Sequence, residues 1–160
     1  MATTRFVFTP ESAHYPSSNF AQFTAINQRP ILAYDAATNQ TAYWTAVAPQ
    51  GFTGTMTAIV SYIMASATSG DVDIDIAIEA ISDGDAVDLD ASTSFDTANS
   101  TDNTTVPGTA GYMDQISVTL TNQDSIAAGD YFRLSLVRDA SSDTAAGDMY
   151  VLAIELRDAA

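Results

Sequence analysis

Residues 69–90 carry eight acidic side chains and no basic one, so they are the first place to look for chemistry. Oxygen ligands of this kind suit calcium, and residues 71–76, DVDIDI, begin like a calcium-binding loop. The pattern then fails at Ile76, where the turn needs glycine, and at Ser82, where a bidentate glutamate belongs. Residues 71–82 therefore do not match a calcium-binding loop of this type. The remaining calcium candidates surround Gly84 in the next loop: Asp83, Asp85, Asp88 and Asp90.

The three aspartates of this run, Asp71, Asp73 and Asp75, alternate with apolar residues, as expected on one face of a strand. Carboxylates spaced roughly 7 Å apart along a strand are too far apart for all three to hold one ion. Three interpretations stay open: a face that is solvated or paired with arginine, a contact with an ion, or a surface for a subunit or partner. The arginines in strand regions that could pair with this row are Arg133, Arg138 and Arg157.

The chain offers few side chains that are suited to catalysis. The chain has no cysteine, a single histidine, His14, and no G-x-S-x-G nucleophile motif. Hydrolysis of glycosides uses a pair of carboxylates, one with a raised pKa. Of the three glutamates, Glu11, Glu79 and Glu155, the last two are expected on solvated outer faces, where the pKa would not be raised. We predict no catalytic residue, no cofactor and no small-molecule substrate.

The net charge of −15, from twenty acidic residues against five arginines, excludes two classes of partner. Nucleic acids and anionic membranes both need basic contacts, which this chain does not supply. The absence of cysteine excludes disulfides. The first residues, MATTRFVFTP, lack the basic and apolar regions of a signal peptide, so we expect synthesis and assembly in the cytoplasm of the producing cell.

Alternation with a period of two runs through most of the chain and predicts an all-β fold. Turn-forming segments separate the strands. We predict an antiparallel β-sandwich of about eight strands, jelly-roll type, over residues 29–160. A weak strand is expected near STSFDT, residues 92–97, within a polar connection from about 82 to 111 that lies at one end of the sandwich or as a flap over it. The side chains predicted to face the core are Val72, Ile74, Ile76, Ile78, Ala80, Tyr112, Ile116, Val118, Leu120, Phe132, Leu134, Leu136, Tyr150, Leu152, Ile154 and Leu156.

Residues 1–28 differ from the rest, because prolines, polar spacers and separated aromatics replace the alternation. We predict an extended N-terminal arm. Its aromatics dock either on the chain's own sandwich or on a neighbouring subunit. The interface candidates are Arg5, Phe6, Phe8, Tyr15, Phe20 and Phe23.

Several short motifs occur along the chain in an order that resembles the order found in a known protein group. They are P-x-L-x-[FY]-D at residues 30–35 followed by Trp44, A-T-S-G-D-V at 67–72, A-G-D-x-[FL]-R at 128–133, and R-D-A…D-T…G-D from Arg138 to Asp148. Over residues 30–158 the chain is similar to small β-sandwich structural proteins of the virions of tailed bacteriophages and prophages. The motif residues are turn and core positions, so the resemblance implies a fold and no active site.

The resemblance implies a capsid decoration or cement protein on the virion surface, assembled in the host cytoplasm. Its expected partners are further copies of itself, as a homotrimer, and the major capsid protein. The alternative is a tail-associated adhesin or a carbohydrate-binding module, which would bind through exposed aromatics. Trp44 lies within a strand and is expected in the core instead. The aromatics available for such binding are Tyr43, Trp44, Phe52, Tyr62, Tyr112 and Tyr131.

Overall fold

Ten extended segments pair as antiparallel strands in the computed structural model, which describes residues 2–158. The strands are β1 (Thr4–Phe8), β2 (Gln22–Ile26), β3 (Arg29–Tyr34), β4 (Gln40–Val47), β5 (Met56–Met64), β6 (Asp71–Ile81), β7 (Asn99–Thr105), β8 (Asp114–Leu120), β9 (Tyr131–Arg138) and β10 (Met149–Asp158). A single turn of 3-10 helix, Pro10–Ser12, follows β1. Within residues 2–158 no helix is long and apolar enough to cross a membrane.

The strands form two sheets that pack face to face. One has six strands, in the order β2-β3-β10-β5-β8, with β1 paired to β10 beside this path. The other has four strands, in the order β4-β9-β6-β7. The predicted antiparallel sandwich of jelly-roll type is confirmed, with ten strands in the described residues in place of about eight.

The core between the sheets is built from the inward-facing side chains of both. Trp44 is 1% exposed, which confirms its predicted core position, and its indole Nε1 donates a hydrogen bond to the Thr9 carbonyl at 3.0 Å. Burial of each large apolar side chain stabilises the fold by about 1.5–3 kcal/mol. The largest buried apolar side chains include Tyr34, Trp44, Tyr62, Phe132, Ile31, Leu32, Met56 and Met64.

The strand predicted at residues 92–97 is wrong, because the strand of this connection is β7, which begins at Asn99. The sequence of β7, NSTDNTT, contains no apolar residue, so hydrophobic alternation cannot reveal it. Its ladder with β6 holds it at the edge of the four-stranded sheet. The Asn99 side chain is buried and donates to the carbonyls of Ile76 and Asn122, at 3.2 and 2.7 Å.

Three of the inward predictions are also wrong. The register of β10 against β5 shifts between Val151 and Ala153, and this irregularity changes which parity faces the core. Met149 and Val151 are buried before the shift, so Tyr150 and Leu152 lie on the outer face and are only half-buried. Tyr112 precedes β8 and is 66% exposed.

Residues 2–28 are mostly extended but are built into the sandwich. β1 pairs with β10, and β2 pairs with β3 through a two-residue turn. Asn27 and Gln28 in that turn have φ of 42° and 64°, as a tight hairpin turn with positive φ at both positions requires. The hairpin therefore runs across the expected boundary at residue 28, and no break in the fold marks it.

The segment between β1 and β2 runs along the free edge of β4. His14 and Tyr43 exchange backbone hydrogen bonds of 2.7 and 2.9 Å, and Thr41 bonds to the backbones of Asn19 and Ala21 at 2.9 and 3.2 Å. These bonds satisfy backbone groups that an open edge strand would leave unpaired. Of the two interpretations of the arm, docking on its own sandwich is the one observed.

The interface candidates of the arm separate into two groups. Phe8 is buried and Phe6 packs edge-on against Phe132 with ring centroids 5.1 Å apart. Arg5 forms an ion pair with Asp158 at 2.7 Å. These three side chains are engaged within the chain, and a contact of the others with a neighbouring subunit stays a prediction. The exposed members are Tyr15, Phe20 and Phe23.

Candidate functional site

The acidic row on β6 is neither freely solvated nor paired with arginine. Its carboxylates accept hydrogen bonds from β7: Asp71 from the Thr105 hydroxyl at 2.7 Å, Asp73 from the Asn103 N–H at 2.5 Å, and Asp75 from the Ser100 hydroxyl. Asp73 is 6% exposed. The row therefore forms side-chain hydrogen bonds that connect β6 to β7. Pairing of the row with arginine is not observed among residues 2–158, because the neighbour of Asp71 and Asp75 is the all-polar β7, which alternation does not reveal. Asp71 and Asp75 are only half-buried.

The calcium candidates do not come together. Asp83, Asp85, Asp88 and Asp90 are exposed, and the carboxylates of Asp85 and Asp88 accept hydrogen bonds from nearby backbone N–H groups at 2.9 and 3.1 Å. Short-range bonds of this kind close turns. In the part of the chain that the structure describes, no three Asp, Glu or His side chains gather closely enough to hold a metal ion.

Glu79 lies on the outward parity of β6, but its expected solvated position is wrong. Its side chain is 1% exposed, because residues 82–98, hereafter the flap, fold over this part of the four-stranded sheet. One carboxylate oxygen accepts the Ser94 N–H of the flap at 2.6 Å, and the other accepts the Arg133 Nε–H. A flap was one of the two positions expected for this polar connection.

Electrostatics keep Glu79 ionised. Burial alone raises the pKa of Glu79, but the hydrogen bonds from Arg133 and Ser94 and the charge of Arg133 together outweigh it and hold the pKa below its ordinary value. Glu155 lies on the other sheet, where its Arg157 and Thr4 hydrogen bonds lower its pKa to about 2. Neither glutamate has the raised pKa of a general acid.

An aromatic contact holds the flap against β4 and β9. The Phe95 ring stacks on Tyr43 with centroids 5.6 Å apart and planes 16° from parallel. The Arg133 guanidinium carbon lies 4.8 Å from the Phe95 centroid and 5.9 Å from the Tyr43 centroid. Both distances are within the range of cation–π attraction. Phe95 therefore fixes the orientation of two side chains that also line a cleft.

The cleft lies on the outer face of the four-stranded sheet, between the arm and the flap, and encloses about 590 Å³. This volume is typical of sites for small organic ligands. The arm, β4, the flap and β9 each contribute to its wall. The lining residues are His14, Tyr15, Pro16, Tyr43, Thr45, Thr93, Tyr131 and Arg133.

Strand alternation explains why these side chains meet. Ala42 and Trp44 point into the core, so Tyr43 and Thr45 of β4 point outward. On β9, Phe132 points inward, so its neighbours Tyr131 and Arg133 point outward. The two strands are adjacent, with Thr45 opposite Arg133 in the ladder, and this register brings the outward pairs side by side.

The lining of the cleft combines aromatic rings with N–H donors. Tyr15 and Tyr131 are 40% and 39% exposed, and they offer flat apolar rings with a hydroxyl at one end. Arg133 adds guanidinium N–H groups, and His14 adds an imidazole N–H group. No lining residue is a carboxylate. A smaller hollow of about 90 Å³ continues past Tyr131 and Arg133 beneath the flap, where Glu79 is its one ionisable acid. The site therefore lacks the two opposed carboxylates of glycoside hydrolysis.

A second groove, on the outer face of the six-stranded sheet, has a different character. It encloses about 460 Å³. Its apolar lining is aliphatic, without an aromatic ring, and Arg29 is the charged residue at its rim. The apolar lining residues are Ile26, Ile63, Met113 and Leu152.

Sequence patterns identified some residues of the cleft but did not predict that these residues lie together. Of the six aromatics considered for ligand binding, Trp44, Phe52 and Tyr62 are buried, and Tyr112 is exposed elsewhere. Tyr43 and Tyr131 do line the cleft. The contributions of His14, Thr93 and Phe95 were missed. Alternation does predict that Tyr43 and Thr45 of β4 and Tyr131 and Arg133 of β9 face outward. It does not show that β4 and β9 are neighbours.

Comparison with known proteins gives structural likeness only. No protein-family model matches the chain, and no curated protein matches it in sequence. A family 35 carbohydrate-binding module from Clostridium thermocellum superimposes with a TM-score of 0.57 at 13% identity, covering 99% of each chain. A non-crystalline-cellulose-specific module, CBM28, gives 0.56 at 10% identity, covering 93% of this chain and 89% of that one. A second family 35 module, from an environmental isolate, gives 0.55 at 10% identity, covering 94% and 91%.

These neighbours correct the expected function. They support the β-sandwich fold and show no link to phage proteins. The prediction of a capsid decoration protein is contradicted, because these similar solved structures are carbohydrate-binding modules. Trimeric assembly, the major capsid protein as partner and location in a virion have no support in these likenesses.

Proposed function

We propose that the protein is a carbohydrate-binding module and that the cleft between the arm and the flap is its binding site. The observation that carries the proposal is the wall of the cleft, where Tyr15, Tyr43 and Tyr131 line the same space as Arg133. The fold shared with solved carbohydrate-binding modules supports the same conclusion.

A sugar ring matches such a wall. Its C–H groups form an apolar face that packs against the electron-rich face of an aromatic ring. Its hydroxyls form a polar rim that accepts hydrogen bonds from guanidinium and imidazole N–H groups and exchanges them with tyrosine hydroxyls. The cleft is open to solvent, which leaves room for a sugar residue of a longer glycan chain.

The proposed activity is binding without catalysis. The cleft lining holds no carboxylate, and the nearby Glu79 is committed to Arg133 and Ser94. A group held ionised by such contacts is a poor proton donor.

The test is binding to a panel of immobilised neutral and acidic polysaccharides, followed by affinity measurement for Tyr131→Ala. We expect this variant to lose about tenfold or more in affinity, because it removes an exposed ring from the wall. Tyr112→Ala is the matched control, since Tyr112 is also an exposed tyrosine but lies outside the cleft. Equal affinity of the two variants, or no binding to any polysaccharide, would contradict the proposal.

A further inference from the structure

The positive charge of the cleft is already neutralised by the protein. Arg133 and Glu79 lie opposite each other on β9 and β6, and the Arg133 Nε–H donates to the Glu79 carboxylate. The Glu79 side chain is 1% exposed, so water screens this attraction weakly. Arg133 therefore presents N–H donors to the cleft with little net charge behind them.

The donors that remain are the terminal nitrogens of Arg133. Among residues 2–158, the protein gives Arg133 one hydrogen bond, through Nε, and leaves both Nη groups without a partner. Its side chain is 23% exposed and lines both the cleft and the smaller hollow. These N–H groups can donate to hydroxyl or ring oxygens, which are uncharged acceptors.

The surroundings of the cleft are negative. The chain as a whole carries a net charge of −15. The flap that borders the cleft through Thr93 carries exposed aspartates. A field of this sign repels anions that approach the site. The exposed aspartates of the flap are Asp83, Asp85, Asp88 and Asp90.

We infer that the cleft selects neutral glycans and discriminates against glycans that carry carboxylate or sulfate groups. The inference rests on the proposed function and specifies its class of ligand. An acidic sugar placed against Arg133 would compete with Glu79 for the same cation and would leave one negative charge uncompensated. A neutral sugar makes the same hydrogen bonds without that cost.

The first experiment compares glycans that differ in charge, using isothermal titration calorimetry on the full chain. The pairs are hydroxyethyl and carboxymethyl cellulose, methyl-esterified and de-esterified homogalacturonan, and mannan and polymannuronate. We expect the neutral member to bind more tightly in every pair that binds. Equal or tighter binding of the acidic member would overturn the selectivity and leave the proposed function standing. No binding to any member would overturn both.

The second experiment removes the neutralising charge. Glu79→Gln should raise the ratio of acidic-glycan to neutral-glycan affinity by roughly fivefold. Glu155→Gln is the matched control, because it also removes an arginine-paired glutamate, but on the other sheet. An identical ratio of acidic to neutral affinity in Glu79→Gln and Glu155→Gln would overturn the assigned role of Glu79.

A measurement on the unmodified protein covers the case in which Glu79→Gln does not fold. Raising the salt concentration screens the repulsion of acidic glycans. Their affinity should therefore rise toward that of the neutral members, whose affinity should stay constant. A fall in acidic-glycan affinity with added salt would mean that the site attracts anions, and would overturn the inference.

Discussion

Glu79 and Arg133 face each other across the β6–β9 ladder and form an ion pair with very unequal exposure, 1% for the glutamate side chain and 23% for the arginine side chain. The buried member is held by the flap from above, and the exposed member lines the cleft. This cross-strand pair therefore connects the stability of the sheet to the chemistry of the binding surface.

Removing Arg133 should destabilise the fold. Arg133→Met leaves the buried Glu79 carboxylate without its cation, so we expect a loss of about 3 kcal/mol in the free energy of unfolding, measured by urea denaturation. Arg157→Met breaks the more exposed pair with Glu155 and should cost much less. Similar losses in the two variants would show that the burial of Glu79 has no energetic consequence.

Arg138 should be more sensitive than any other arginine. It is 0% exposed and pairs with Asp143 at 2.6 Å, while its Nη groups donate to the carbonyls of Tyr34, Ala145 and Gly147. Arg138→Met leaves all four acceptors without this donor, and we expect a loss of about 4 kcal/mol or failure to fold.

The control for Arg138 is Arg5→Met. Arg5 pairs with Asp158 through two hydrogen bonds of 2.7 Å, but both side chains are about one quarter exposed, at 24% and 23%. Its loss should cost far less than the loss of Arg138. A thermal melt that ranks Arg5→Met below Arg138→Met in stability would contradict the structural role of Arg138.

Phe95 should hold the flap in place. Phe95→Ala removes the stack on Tyr43 and the contact with the Arg133 guanidinium, which together stabilise by about 1–2 kcal/mol. We expect faster limited proteolysis within residues 82–98 and weaker glycan binding. Leu89→Ala, a change at an exposed residue of the same flap, should leave the proteolysis rate unchanged. Equal proteolysis of both variants would mean that Phe95 does not anchor the flap.

Asp139 should contribute stability that depends on pH. The hydroxyls of Ser141 and Ser142 and the Asn39 amide donate to it and lower its pKa to about 2, from an ordinary value of 3.8. Because the folded pKa is the lower one, this contribution is complete above about pH 5 and is lost as the pH falls toward 2. The difference in unfolding free energy between the unmodified protein and Asp139→Asn should shrink over that interval.

The pKa of Asp139 can also be followed directly. Carboxyl carbon shifts in an NMR titration should report a value near 2, and Ser141→Ala should raise it because that variant removes one hydroxyl donor. An unchanged pKa in Ser141→Ala would contradict the proposed cause of the shift.

Hydrophobic alternation was sufficient to predict the sandwich, because most strands have one face in the core. It failed for strands in which apolar residues do not alternate regularly along the sequence. The polar β7 has no inward apolar residue, and the irregularity in β10 exchanges the two faces partway along the strand. Local pattern also could not show that the arm would supply β1 and β2 to the six-stranded sheet.

The cleft was only partly predictable, because it depends on contacts between distant segments. The outward positions of Tyr43 and Tyr131 follow from alternation alone. Their proximity depends on the pairing of β4 with β9, and the burial of Glu79 depends on where the flap lies. Motif resemblance was misleading about role, since the matching residues lie at turns and in the core, while the cleft is made of outward side chains.

The central claim, that the cleft binds carbohydrate, is tested most directly by mapping the contact surface in solution. The uniformly labelled protein would be titrated with cellopentaose, xylopentaose and mannopentaose while backbone and side-chain NMR shifts are recorded. We expect saturable shifts at His14, Tyr43, Tyr131 and Arg133 with at least one of the three sugars. Shifts confined to the aliphatic groove around Ile63, or no saturable shift with any sugar, would contradict it.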